Sequence, residues 1–241
     1  MIYKDLEAES IGLCVSDISD KEFTRGEFEA VYRLLKPGRR FVVVCHDGLE
    51  NSAGLDYLPP SSRAVSLAVL EGFRVRHHLV WNDPTAGERW LAGKTFPRGP
   101  SVVPNHTISD IWVFQKPDTW TSHSARYEPL PETELPYDVM DRRFFETYVK
   151  QGVWDMNGTR SKDEGYPDAP VSLFEPFVRM WSRPREKVLD VLPENGNVLV
   201  AAVKWRREPV WIESDPVREM ALQMRVEDAI MRYGLRLGGH I

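Results

Sequence analysis

Three residues near the C-terminus have the types and spacing of a nucleotide-binding turn. Asp190 ends a predicted strand, Gly196 lies in the turn that follows, and Glu213 closes the next predicted strand. A glycine turn lets backbone amides approach a ligand, and an acid on the next strand can bind ribose hydroxyls. Acids at strand ends are also ordinary loop chemistry, and Asp190 could simply cap its turn. The pattern alone therefore leaves both interpretations open.

A second group of polar residues follows the first apolar run of the chain. Ser16 and Asp17 lie near the end of the run IGLCVSDIS, residues 11–19, and either side chain could accept a hydrogen bond from a ligand. The simpler interpretation is that they only terminate a buried strand, since short β-branched runs that end in Asp and Ser are typical of strands.

Two further runs contain reactive residue types but do not predict a site. Cys45, His46 and Asp47 follow one another along a predicted strand, and so do His77 and His78. Neighbouring residues of a strand point to opposite faces, so the first run cannot converge as nucleophile, base and acid. The histidine pair fails as a metal site for the same reason, and no third ligand stands out. We therefore expect no metal.

The elements that must position these residues alternate between strands and helices. Apolar runs predict strands, and 3.6-residue periodicity with Thr24–Glu27 as an N-terminal capping box predicts the first helix. Strands are predicted at about 11–19, 41–45, 74–81, 109–117, 187–190 and 208–213, and helices at about 24–35, 61–73, 171–182, 197–205 and 216–233. This alternation predicts an α/β fold with an open, mostly parallel sheet covered on both sides.

The bulk composition sets the broad class. The chain has 241 residues, 42% of them hydrophobic, and a net charge of -5, which is typical of a single globular domain over residues 1–241. Residues 117–165 are rich in Pro, Glu, Tyr and Asp, with one helical patch at about 142–150, and we interpret them as an irregular surface excursion. No apolar run is long enough for a signal peptide or a membrane span, so we expect a cytoplasmic protein, or a nuclear one in a eukaryote.

Several segments resemble one family in order along the chain. KVLDVLPENGNVLVAAVKWRREPVWIESDP (187–216) is similar to the S-adenosylmethionine-binding stretch of the circularly permuted, amino-methylating DNA methyltransferases. VYRLLKPGRRFVVV (31–44), GVWDMNG (152–158) and YPDAPVSLFEPF (166–177) resemble three other segments of that family. The resemblance implies a three-layer, Rossmann-like methyltransferase fold, with the catalytic strand first and the cofactor strand last.

The resemblance also implies roles for particular residues. Asp190, Gly196 and Glu213 match positions that contact S-adenosylmethionine in the family. The basic residues of the excursion would meet phosphates in a DNA-binding relative, although a solvated surface explains them as well. These residues are Arg142, Arg143, Lys150, Arg160 and Lys162.

The chain departs from the family where the chemistry is done. The family has Ser, Asp or Asn followed by Pro-Pro and an aromatic residue, which present and stack the target base; here the loop is Ser16-Asp17-Ile18-Ser19. Glu194 replaces one glycine of the cofactor turn, so binding of S-adenosylmethionine is doubtful.

We therefore expect a degenerate, non-catalytic subunit that supports an active methyltransferase partner, or pairs with itself, or binds DNA or RNA. Two alternatives stay open. The first is an active methyltransferase acting on adenine or cytosine amino groups, and the second is a cofactor-free scaffold or regulator of a modification system.

Overall fold

The computed structural model describes residues 6–18, 23–46, 59–84, 108–118, 138–158 and 169–234. Its strands are β1 (Ile11–Ile18), β2 (Leu35–Cys45), β3 (Arg74–Asn82), β4 (Ile108–Gln115), β5 (Val153–Asp155), β6 (Lys187–Asp190) and β7 (Glu208–Trp211). Its helices are α1 (Arg25–Leu34), α2 (Pro60–Leu70), α3 (Arg142–Phe144), α4 (Val171–Trp181), α5 (Asn197–Lys204) and α6 (Pro216–Ala229). Wider helical turns continue α3 over Phe145–Val149 and α6 over Ile230–Gly234.

The seven described strands form one mixed sheet in the order β5-β3-β4-β2-β1-β6-β7. β4 runs antiparallel to both of its neighbours, whereas the other pairs are parallel. The predicted α/β class and the mostly parallel sheet are confirmed. The carboxyl ends of β1, β2 and β6 consequently meet at one edge of the sheet, which we call the carboxyl edge.

Helices cover both faces of the sheet. All eight residues of β1 are buried, as its apolar sequence predicts for a central strand. Alternate residues of β1 and β2 serve two cores: Cys14 and Phe41 pack with α1 and α2, while Leu13 and Val42 pack with α4 and α5. α6 lies against α5 in a smaller cluster next to the edge strand β7.

One predicted strand boundary differs from the structure. β2 begins at Leu35, directly after α1, and not near residue 41, because Leu35 already pairs with Ile11 of β1. The described part of the 117–165 segment contains α3 and β5, and β5 extends the sheet by pairing with Val80–Asn82. The interpretation of the whole segment as an excursion stays a prediction.

Candidate functional site at the carboxyl edge

Polar side chains of three neighbouring strands meet at the carboxyl edge. Ser16 and Asp17 come from the end of β1, His46 follows β2, and Asp190 ends β6. Ligands of open α/β sheets bind at this edge, because the loops that follow parallel strands leave a crevice there. The edge is therefore the candidate functional site.

Ser16 and Asp190 are bonded to each other below the surface. The Ser16 hydroxyl donates to Asp190 Oδ1 at 3.3 Å and accepts from the Val191 amide at 3.1 Å. Ser16 has no exposed surface, and Asp190 also accepts a hydrogen bond from the Leu192 amide. Asp190 thus caps its own turn, one of the two roles the sequence allowed, and Ser16 is committed to that turn.

The surroundings of Asp190 disfavour negative charge. Burial raises the pKa of its carboxyl well above the ordinary value, and the charges of Asp17 and Glu194 raise this pKa further. The hydrogen bonds from Leu192 and Ser16 act in the opposite direction but are outweighed. A cation placed beside Asp190 would be stabilised by all three acids.

Asp17 is the first member of a buried hydrogen-bonded chain of three side chains. Its Oδ1 lies 2.8 Å from His46 Nε2, and His46 Nδ1 lies 2.7 Å from the Ser109 hydroxyl at the start of β4. The His46 ring meets the Trp81 ring edge-on at 5.6 Å. We call Asp17, His46 and Ser109 the relay.

Sequence reasoning missed the relay because it tested His46 only against its chain neighbours Cys45 and Asp47. The true partners of the imidazole come from β1 and β4, 29 and 63 residues away. No spacing rule links them. The available signal was that several predicted strands end or begin with a polar residue.

Gly196 and Glu213 have local structural roles. Gly196 is left-handed at φ +70°, and a Cβ there would lie 3.0 Å from Leu222 Cδ2 and 3.1 Å from Arg225 Cδ of α6. Glu213 lies two residues beyond β7, where its Oε1 accepts from the amides of Ser214 and Asp215. Its Oε2 lies 3.2 Å from Arg218 Nε. Packing and turn capping thus account for both residues without a ligand.

Two of the basic residues of the excursion, Arg142 and Arg143, lie on the short helix α3. Arg142 and Arg143 are exposed on α3, and the neighbouring Phe144 ring lies 4.3 Å from the Arg179 guanidinium. Arg179 also lies 4.2 Å from the Trp205 ring, just before β7 begins, which places α3 toward the amino ends of the strands. Lys150 pairs with Glu146 at 2.9 Å. Arg160, Lys162 and the loop residue Ser19 lie outside the described residues.

Metal-binding clusters and membrane-spanning helices are both missing from the described ranges. No group of three or more His, Cys, Asp or Glu side chains in that part of the chain has the arrangement of a metal site. None of the helices described above combines the length and hydropathy of a membrane span.

Comparison with known proteins relates the chain to a protein family. Residues 21–222 match the profile of the N6/N4 methyltransferases, a family described as DNA methylase. A Thermus thermophilus protein described as a DNA modification methylase, solved with S-adenosyl-L-methionine, superposes with a TM-score of 0.70 and 21% identity, covering 95% of this chain and 92% of that one.

Two other methylase structures share the fold. The cytosine-N4-specific PvuII DNA methyltransferase gives a TM-score of 0.64 at 16% identity over 99% of this chain and 90% of that one. The M1.HpyAVI complex with SAM gives 0.55 at 14% identity over 90% and 89%. No curated protein matches the sequence.

Proposed function

Because this chain belongs to the DNA methylase family, whose profile matches residues 21–222, we propose that it is a methylase-fold subunit that transfers no methyl group by itself and supports an active DNA methyltransferase. The observation that carries the proposal is the engagement of Ser16 and Asp17. Both side chains that could accept a hydrogen bond from a target amine are already bonded inside the protein.

The loop also lacks the means to present a base. Amino-group methylation of a base requires it to leave the helical stack and lie against a ring, with its amine facing the methyl donor. Ser16, Asp17 and Ile18 continue the extended strand β1, and none of them carries an aromatic ring. The family match begins at residue 21, downstream of this loop.

S-adenosylmethionine is the methyl donor that the fold implies. The described residues suit the methionine end of this cofactor but not its ribose end. Its ammonium and sulfonium would be attracted by the acids Asp17, Asp190 and Glu194, of which Asp190 is itself buried and bonded to Ser16. At the ribose end, Glu213 would first have to release two backbone amides and Arg218. We therefore expect weak binding of S-adenosylmethionine or none.

The first experiment measures transfer of labelled methyl groups from S-adenosylmethionine to unmethylated DNA by the purified full chain. We expect no incorporation above a protein-free blank under conditions where a methyltransferase with an intact Pro-Pro-aromatic loop is active. Incorporation that Asp17→Ala abolishes and the exposed-site control Glu29→Ala preserves would establish an active enzyme instead. Incorporation unchanged by either substitution would identify a contaminating methylase.

The second experiment addresses the supporting role. The chain is co-expressed with a methyltransferase of the same source that has an intact loop, and both the copurified complex and the methylation rate are measured. A stoichiometric complex with faster methylation is the expected result. A methyltransferase that purifies alone and works equally fast without this chain would contradict the supporting role and favour the scaffold alternative.

A further inference from the structure

Asp17, His46 and Ser109 have the arrangement of an acid, a base and a nucleophile. From this geometry we infer that the relay activates the Ser109 hydroxyl for attack on acyl esters, an activity separate from methyl transfer. Asp17 and Ser109 lie in β1 and β4, and His46 directly follows β2, so the sheet sets the arrangement of the three groups. The two heavy-atom distances, 2.8 and 2.7 Å, both lie in the range that proton transfer between such groups requires.

The hydrogen-bond chain has one consistent direction when Asp17 is ionised. A carboxylate only accepts, so His46 Nε2 must carry the hydrogen that is shared with Asp17. In the neutral imidazole Nδ1 is then an acceptor, and the Ser109 hydroxyl must donate to it. This direction of donation is the one in which histidine can take the serine proton. The two ring nitrogens have exchanged roles relative to the serine proteases.

Neighbouring side chains fix the orientation of the His46 imidazole. Trp81 packs edge-on against the ring at 5.6 Å, and the Trp81 indole is itself fixed by donating to the Met156 carbonyl at 2.8 Å. The three residues are mostly buried, with Ser109 9%, Asp17 8% and His46 6% exposed, so attack by Ser109 requires the ester to enter from the carboxyl edge. Rigid support of this kind is what a nucleophile and its base need.

The reaction balances without any further reagent except water. The Ser109 oxygen attacks the ester carbonyl while its proton passes to His46 Nδ1, and Asp17 stabilises the imidazolium that forms. The ester C–O bond then breaks, the alcohol leaves with that proton, and an acyl group remains on Ser109. Water, deprotonated by His46, hydrolyses the acyl-serine and releases the carboxylic acid.

A fluorophosphonate probe tests the first half of this sequence on the full chain. The serine oxygen would attack phosphorus, the P–F bond would break, and fluoride would leave while the proton passes to His46. We expect one probe per chain, located on Ser109 by peptide mass spectrometry. Ser109→Ala and His46→Asn should abolish labelling, and Asp17→Asn should slow it by on the order of 10-fold or more.

A matched histidine controls for general effects of the substitutions. His78 also pairs with an acid, Asp110, at 2.5 Å, but among the described residues no hydroxyl bonds to its other nitrogen. His78→Asn and the exposed-site variant Ser66→Ala should leave labelling unchanged. Far-UV circular dichroism checks the fold of each variant, and Ser109→Cys, which preserves the side-chain shape, should still react with an electrophile.

Absence of labelling under conditions where a known serine esterase is labelled would overturn the inference, and so would labelling confined to another residue. The methyl-transfer assay gives an independent result, because fluorophosphonate labelling requires neither DNA nor S-adenosylmethionine. Failure of one proposal therefore leaves the other intact.

Discussion

At the scale of single residues, the buried carboxyl of Asp190 makes the stability of the fold depend on pH. Its pKa is raised because burial and two neighbouring acids oppose ionisation in the folded protein. Such a group contributes stability fully below its unfolded pKa, near 3.8, and that contribution is lost as pH rises through the folded pKa. Above the unfolded pKa, the burial of Asp190 therefore lowers the stability of the fold.

Asp190→Asn removes this cost because asparagine approximates the protonated acid in shape and charge. We expect the variant to be more stable than the natural chain at pH 8, with a smaller difference at pH 5, as measured by urea denaturation at both values. Glu29→Gln, which replaces an acid on the exposed surface of α1, should show no such pH-dependent gain. A variant that is equally or less stable at pH 8 would refute this account of Asp190.

The positions of the site residues along the strands could be predicted from sequence, whereas their bonding could not. Apolar runs place Ser16, Asp17 and Asp190 at strand ends because buried strands end where polar residues begin. The Ser16–Asp190 bond spans 174 residues of the chain and depends on β1 and β6 being neighbours. The sequence of one protein carries no direct record of that pairing.

At the scale of elements, the contact between α6 and the turn after β6 explains why glycine is needed at position 196. Gly196 begins α5 in a left-handed conformation, and the space its Cβ would need is filled by Leu222 and Arg225. The resemblance to cofactor-binding turns predicts a cofactor contact at Gly196, and this stays a prediction. The reason for its retention, however, involves a helix that the motif does not contain.

Gly196→Ala should destabilise the protein by about 1–3 kcal/mol, because a side chain is strained at this φ and must displace α6 as well. Gly152→Ala is the matched control, since a Cβ at Gly152 meets nothing within 4 Å. Urea denaturation of both variants measures the difference. Equal stability of the two would mean that α6 moves aside freely, and the packing explanation for Gly196 would fail.

At the scale of the whole molecule, the two cores share their strands. Phe41 and Val43 of β2 face the core with α1, while Val42 and Val44 of the same strand face the core with α4. A substitution that weakens the packing on one face of β2 should therefore also lower the stability of the core on the other face. This sharing is the physical basis for predicting that residues 1–241 behave as a single domain.

Phe28→Leu tests that prediction from the α1 side. Phe28 is fully buried and contacts the rings of Phe23 and Phe41, with centroids at 5.1 and 5.5 Å. Loss of the ring should cost about 1–2 kcal/mol. If unfolding is cooperative, the slowest-exchanging amides of α4, in the opposite core, should exchange roughly 5–30-fold faster in hydrogen-exchange measurements.

Phe145→Leu provides the control, because this ring is 51% exposed and its substitution should change stability by less than about 0.5 kcal/mol. Faster exchange in α1 without any change in α4 would mean that the two faces of the sheet open separately. The relay could then remain folded when only one of the two cores opens. Exchange that becomes equally faster in α1 and α4 would instead mean that the whole sheet unfolds in one cooperative step. The carboxyl edge would then form only when both cores are folded.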